Sequence, residues 1–274
     1  MAEAAVGAAV ARATALLGES DTPRLDAELL LSDVLGVGRE QLVIDRDVPL
    51  PDDVARRFRA LVDRRVAREP VAYILGRRGF RNLDLAVDRR VLIPRPETEG
   101  LVEVGLELPR GASVLDVGTG SGAIALALKD ERPDLVVSGV DASADAVAVA
   151  RANAARLGLD VRFAAGDLLA GCGPCDAVLA NLPYVEDGAL ASLEPEITRY
   201  EPREALFAGV DGLDLIRRLI GSLVRLPWRP SMIALEIGPP QALEVRALLT
   251  GAGWGSVSVR ADLAGRDRVV VGVV

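Results

Sequence analysis

The 274-residue chain contains no histidine. Without an imidazole, Ser-His-Asp triads, histidine general bases and most zinc or iron sites are excluded. Aromatic residues are only 3% of the chain, so alanine, valine and leucine must do most of the packing. The two cysteines, Cys172 and Cys175, cannot complete a structural zinc site by themselves, and no metal is expected. No stretch of 18 apolar residues lacks a charge, which argues against a transmembrane helix. Met1-Ala2-Glu3-Ala4 has no basic residue, and Arg12 interrupts the apolar run that follows. This start reads as an amphipathic helix rather than a signal peptide, and the expected location is the cytoplasm.

Charge is unevenly spread. Residues 1–90 hold 15 acids and 15 arginines, so the net charge of −8 comes entirely from residues 91–274. Within 56–90, eleven arginines face four acids. That segment reads as a solvated helical face or as a docking patch for an acidic partner or RNA. The acidic remainder argues against tight, sequence-independent nucleic-acid binding, which requires phosphate neutralisation.

Residues 1–78 read as a small helical bundle, with apolar positions at helical spacing in Ala8–Leu17, Leu25–Leu35 and Val54–Val66. Ser20-Asp21-Thr22-Pro23 and Pro49-Leu50-Pro51-Asp52 supply helix-start residues before the second and third runs. Residues 79–93 alternate, with Leu83, Leu85 and Val87, then Val91 and Ile93, and are expected to form a linking hairpin. Residues 94–274 make the remaining domain. Strands are expected at Ser113–Val117, Leu135–Val140, Val161–Ala165, Ala177–Ala180 and Met232–Ile237, with helices between them. Alternation of this kind predicts an α/β fold with a mostly parallel sheet, closed by an antiparallel pair at Ser256–Arg260 and Val269–Val273.

Two loops carry the chemistry. Asp116-Val117-Gly118-Thr119-Gly120-Ser121-Gly122 joins the first parallel strand to a helix, where glycines permit close backbone approach and the helix start offers free N–H groups. Asp141 ends the next strand, where an acid binds ribose hydroxyls. Such a loop serves NAD as well as other adenosine cofactors. Asp116 decides against a pyrophosphate and for a cationic ligand such as S-adenosylmethionine, and Asp167 and Leu168 at a third strand end are expected near its adenine. The second loop, Asn181-Leu182-Pro183-Tyr184, follows the fourth strand. A side-chain amide, a backbone carbonyl and a ring at a strand's carboxyl end suit a planar –NH2 group. Cys172-Gly173-Pro174-Cys175 copies a redox C-x-x-C but precedes a strand instead of opening a helix, so a solvent-facing thiol pair is expected. The acidic stretch Glu186–Glu204 reads as a lid or as a solvated loop.

Pro70–Gly76, Phe80, Val91–Glu99, Asp116–Gly122, Asn181–Tyr184, Glu201-Pro202, Asp211-Gly212-Leu213 and Leu235-Glu236-Ile237-Gly238 resemble the release-factor glutamine methyltransferases of the PrmC/HemK type. The likeness spans nearly the whole chain. It implies a Rossmann-like class I S-adenosylmethionine-dependent methyltransferase domain with a seven-stranded sheet, preceded by a helical domain that docks the release factor. It also implies methylation of the glutamine side-chain amide in a Gly-Gly-Gln tip, with S-adenosylhomocysteine as the other product. Asn181, Leu182, Pro183 and Tyr184 are the implied catalytic residues. Asp116, Gly118, Thr119, Gly120, Ser121, Gly122, Asp141, Asp167, Leu168 and Asn181 are implied to bind the cofactor, with Arg95, Pro96, Glu97 and Thr98 covering it. A monomer is expected. The family pattern at 181–184 is Asn-Pro-Pro-Tyr. Leu182 keeps the backbone carbonyl but gives up proline's fixed φ, which should leave the loop less preorganised. The rival functions are N-methylation of adenine in nucleic acid, N-methylation of a small amide or amine, and a non-catalytic binding module.

Overall fold

The computed structural model describes residues 5–274; the helix start expected at Met1–Ala4 lies outside the described residues. The chain divides into two compact units.

The helical unit runs to Arg77 and also takes in Glu194–Tyr200. Its helices are α1 (Val6–Leu16), α2 (Pro23–Leu35), α3 (Arg39–Ile44), α4 (Asp52–Val66) and α5 (Val71–Leu75). α3 and α5 escape a periodicity argument because six and five residues are too short to display one. Pro23 opens α2 as expected. Thr22 makes no cap bond; its hydroxyl and that of Ser20 donate instead to Asp26. Ala27, Leu30 and Leu31 are fully buried and pack with Leu50, Phe58 and Val62.

This unit contains a buried ionic cluster. Arg65 on α4 donates to Asp26 (2.7 Å), to the Ser20 hydroxyl (2.9 Å) and to Glu196 (2.7 Å) on the short helix Pro195–Tyr200. Arg68 reaches the other Glu196 oxygen at 2.6 Å. Burial works against the Glu196 carboxylate, but the two arginines hold its pKa below the usual range. A charge buried here without partners would be strongly destabilising, so the cluster fixes the downstream helix to α4. Of the arginines expected to form a solvated or docking face, Arg64, Arg65 and Arg68 are committed to carboxylates, whereas Arg56, Arg57 and Arg59 on α4 are exposed.

The ribbon of β1 (Arg77–Phe80) and β2 (Leu83–Ala86) opens the second unit, which starts at Arg78. The hairpin expected over 79–93 is therefore shifted towards the N-terminus. It turns at Arg81-Asn82, where Arg81 has φ 51° and its guanidinium binds Glu103 and Glu131. Val87, Val91 and Ile93 are buried but lie outside the ribbon; burial alone produces their alternation.

The main sheet has the order β5-β4-β3-β6-β7-β9-β8. It comprises β3 (Ser113–Val117), β4 (Val136–Asp141), β5 (Arg162–Ala165), β6 (Ala177–Ala180), β7 (Met232–Glu236), β8 (Ser256–Ala261) and β9 (Asp267–Val273). β3 through β7 pair in parallel; β9 runs antiparallel to both β7 and β8. The helices are α6 (Glu99–Leu106), α7 (Ala123–Glu131), α8 (Ala144–Leu157), α9 (Asp214–Arg225) and α10 (Ala242–Gly251). β6 is buried along its whole length. Ala177 and Leu179 enter one core cluster while Val178 and Ala180 enter the other, as a parallel strand covered on both faces requires. Strand order reverses at β3, so the ends of β3 and β6 flank the crevice where such sheets bind ligands.

Two expectations need correction. The cysteines face solvent only in part. Both thiols are free, half-buried and packed on a core cluster, and burial pushes Cys175 up to about 12. Thiols held protonated in this way are poor nucleophiles. The 186–204 connection is neither a simple lid nor a solvated loop. Pro195–Tyr200 belongs to the helical unit, while Pro202, Glu204 and Ala205 line a cavity in the second unit.

Candidate active site

The glycine loop is built mainly from backbone contacts, within itself and to the end of the adjacent strand. Gly118 N and Thr119 N both donate to the Val140 carbonyl (2.9 and 3.0 Å), and Gly122 N donates to the Thr119 carbonyl. Gly118, Gly120 and Gly122 all have positive φ, a region that glycine enters without penalty. Asp141 accepts Gly120 N on one oxygen and Ser143 N on the other, each at 2.9 Å. Each oxygen retains a lone pair for a hydroxyl. The fully buried Asn153 on α8 supports the loop from behind, donating to the Ser121 carbonyl while also bonding both backbone groups of Ala86.

Asp116 lies beneath this loop, fully buried. One carboxyl oxygen accepts the Thr119 hydroxyl (2.6 Å) and Ala125 N (3.3 Å); the other has no partner among the described residues. Burial raises its pKa to about 7, against those hydrogen bonds. An orphaned buried oxygen at the base of a glycine cradle fits a nearby cationic ligand group.

The cavity beside the loop is lined by Gly118, Thr119, Gly120 and Ser121, and by Asp141, Asp167 and Leu168. Arg95 and Thr98 also line it, as do Asn181, Leu182 and Pro183. Leu168 is buried with φ 53°, unusual for a residue with a branched side chain. Asp167 is exposed and pairs with Arg218. Five residues singled out in the sequence do not line the cavity: Asp116, which lies under the loop; Gly122, which ends it at the start of α7; Pro96 and Glu97, in the single helical turn that brings Thr98 to the wall; and Tyr184.

The tetrapeptide is held by side chains distant in sequence. Asn181 Nδ2 donates to Thr98 Oγ1 at 3.0 Å, leaving Oδ1 as an acceptor. The Tyr184 hydroxyl donates to Glu236 at 3.2 Å, satisfying the phenol of a half-buried side chain. The Tyr184 carbonyl accepts Gln241 Nε2 at 3.0 Å, and Gln241 also bridges Asp211 O and Gly238 N. Leu182 is 4% exposed, and its side chain joins the core cluster against Gly118. The flexibility expected from losing proline is thus countered by an anchored side chain.

Glu236, Gln241, Glu201 and Asn153 were not read from the sequence as site residues. Glu201 accepts Ile93 N and the Arg95 guanidinium, fixing the segment along the cavity wall. Its burial raises its pKa, against the attraction of Arg95. The available signals were the place of Glu201 and Glu236 in the motifs that carry the family resemblance, and for Glu236 an acidic residue at the end of an otherwise apolar strand, Met232-Ile233-Ala234-Leu235-Glu236.

Comparison with known proteins agrees across both units. Residues 8–76 match the model of the PrmC N-terminal domain, and residues 98–197 match that of the methyltransferase small domain. The chain is 41% identical over 256 residues to the release factor glutamine methyltransferase of Rhodospirillum rubrum, covering 92% of this chain and 79% of that one. It is 42% identical over 260 residues to the enzyme of the same name from Caulobacter vibrioides, covering 92% and 90%. A methyltransferase from Pyrococcus furiosus, only 16% identical, shares the fold alone, with a TM-score of 0.51 over 80% of this chain and 97% of that one. The chain therefore belongs to the release factor glutamine methyltransferase family.

Proposed function

We propose that this protein methylates the side-chain amide nitrogen of the Gly-Gly-Gln glutamine in a peptide chain release factor, with S-adenosylmethionine as donor and Asn181–Tyr184 as the reacting loop. The observation that carries the reading is the Asn181 amide. Its NH2 group is engaged by Thr98, so its carbonyl oxygen is the half left to meet a substrate amide at the cavity. Methyltransferase activity follows from family membership; the residue roles below are our assignment.

When bound, S-adenosylmethionine supplies a methyl group on a sulfonium, open to displacement by a nitrogen lone pair. The glycine loop and Asp141 would hold its nucleoside, and Asp116 would act on its cationic part from beneath the loop. An amide nitrogen is a poor nucleophile because its lone pair is delocalised into the carbonyl. Asn181 Oδ1 and the Leu182 carbonyl would accept its two hydrogens, fixing the nitrogen and favouring pyramidal geometry. Alignment of this kind can contribute roughly 7–11 kcal/mol in favourable cases. The nitrogen becomes acidic as it is methylated and can lose its proton late, so no histidine is needed. Arg56, Arg57 and Arg59 offer the helical unit a cationic surface for the protein substrate.

The test is transfer of labelled methyl from S-adenosylmethionine, offered in parallel to a release factor, to the same factor with its Gly-Gly-Gln glutamine replaced, to DNA and RNA, and to free small amides. Label is expected only on the intact release factor. Label on nucleic acid or small amides with none on the factor would overturn the reading.

A further inference from the structure

We propose that Glu236 is a positioning residue for methyl transfer, holding the Asn181–Tyr184 loop in its receptive conformation through the Tyr184 hydroxyl and Thr98. The inference rests on the function proposed above for that loop.

Glu236 ends β7 and is 1% exposed. The four residues before it are apolar, and a carboxyl buried among such neighbours is costly unless it is used. One oxygen accepts the Tyr184 hydroxyl, and the other has no partner in the hydrogen-bond network of the described residues. The Thr98 hydroxyl faces the same carboxyl and also accepts the Asn181 amide. Glu236 therefore touches both ends of the tetrapeptide, Tyr184 directly and Asn181 through Thr98.

The backbone of the loop is secured separately. Gln241 binds the Tyr184 carbonyl, and Gly212 passes so close to it that a Cβ there would lie 2.1 Å from the oxygen. Removing the Glu236 carboxyl thus leaves the chain path intact and frees the side chains. Arg268, Glu97, Tyr184 and Thr98 surround the carboxyl, and Arg95 adds its charge near Tyr184. Burial outweighs the opposing pull of Thr98, Arg268 and Tyr184 and pushes the Glu236 carboxyl up to about 7. The same contact that positions the ring therefore changes charge near neutrality.

The test uses the full-length protein with Glu236→Leu, Glu236→Gln, Tyr184→Phe and the double variant Tyr184→Phe/Glu236→Leu. Leucine removes the carboxyl at similar volume, and glutamine keeps the shape should leucine fail to fold. Glu236→Leu and Tyr184→Phe should each lower kcat on a release factor about tenfold, with the KM for S-adenosylmethionine unchanged within about twofold. The double variant should be no worse than Glu236→Leu alone, because losing the carboxyl already removes the Tyr184 contact along with that to Thr98. The second readout needs no activity. The chain has three tyrosines, so 3-fluorotyrosine labelling should give three 19F resonances, with Tyr184 assigned by Tyr184→Phe. The Tyr184 resonance should titrate near neutral pH in the parent protein and be pH-independent in Glu236→Gln. Parental kcat in Glu236→Leu, multiplicative losses in the double variant, or an unaltered titration in Glu236→Gln would each overturn the inference. Were the parent protein itself inert on release factors, the substrate reading would fall, while the 19F titration still decides whether Glu236 governs the loop.

Discussion

The glycine loop and the Asn181–Tyr184 loop lie at the ends of adjacent strands, β3 and β6, yet they are built in opposite ways. The glycine loop is held chiefly by Asp116, Val140 and Asp141, at most 22 residues from their partners in the loop, with Asn153 behind it 32 residues away. The Asn181 loop is held by Thr98, Glu236 and Gln241, which lie 83, 52 and 57 residues away. One carries its geometry in a local pattern of glycines. The other borrows its geometry from the rest of the domain. A short motif can therefore encode where the cofactor sits, whereas the alignment of the substrate amide depends on the fold having formed.

The widest separation between the two loops should come from Asn181→Ala. It removes the acceptor proposed to orient the nucleophile and leaves the glycine loop untouched. Loss of one such preorganised group typically costs a factor of about 10² to 10³ in kcat. The expected result is a fall of that size with the dissociation constant for S-adenosylmethionine, measured by calorimetry, changed by less than about threefold. Turnover near the parent value would remove Asn181 from the mechanism.

A glycine pair sharpens the same contrast. Gly212 has φ 72° and meets the Tyr184 carbonyl, so Gly212→Ala must displace the Asn181 loop itself. Gly120 has φ 56° with nothing within 4 Å of an added Cβ, so Gly120→Ala adds backbone strain and a methyl group on the cavity wall. Gly212→Ala is expected to lower kcat about tenfold to a hundredfold and to reduce Tm by several degrees. Gly120→Ala should mainly weaken S-adenosylmethionine binding, with a stability loss of about 1 kcal/mol. The reverse assignment of the two phenotypes would show the comparison to be misdrawn.

The division between local and borrowed geometry also explains what could be read from the sequence. The strands of the main sheet fall within a residue or two of their expected limits because continuous apolar runs between turn residues are local signals. Asp116 and Asp141 were identified by their offsets from the glycines. Thr98 was anticipated only as part of a covering segment, and its bond to Asn181 became visible only in the fold. The hairpin shifted because buried loop residues such as Val91 and Ile93 imitate strand alternation. The short helix Pro195–Tyr200 could not be assigned to the helical unit from its composition, since its anchor is the distant pair Arg65 and Glu196. Leu182 looked like a loss of rigidity until its side chain was seen packed against Gly118.

Leu182 is also the point where the two loops touch, so a change there should perturb both, by less than the changes above. Leu182→Ala deletes most of a buried side chain, and core truncations of this kind cost about 2–5 kcal/mol. Thermal unfolding should fall accordingly, with a loss of only a few-fold in both S-adenosylmethionine affinity and kcat. Leu182→Pro restores the fixed φ but gives up the reach towards Gly118. Its kcat should lie between the parent and Leu182→Ala. A Leu182→Pro enzyme faster than the parent would mean that loop rigidity, rather than contact between the loops, limits transfer.

The last difference concerns the buried carboxyl beneath each loop, Asp116 under one and Glu236 under the other. Burial raises both to about 7, from ordinary values of 3.8 and 4.5. Between those limits the folded protein keeps protons that the unfolded chain has released, so stability is full at low pH and falls as pH rises through 7. Each group changes stability by at most about 1.4 kcal/mol per pH unit across that window. Carboxylates held low by arginines, such as Glu28 and Glu131, act in the opposite sense and only in acid, losing their contribution as pH falls through their depressed values. The Tm of the ligand-free protein should therefore decline between about pH 5 and pH 8. Asp116→Asn should remove one part of that slope and Glu236→Gln the other. Saturating S-adenosylmethionine should flatten the Asp116 part alone, because a bound cation favours the ionised carboxylate only where it sits. A ligand that flattened the Glu236 part instead would place the cationic group against the Asn181 loop and invert the assignment of the two sites.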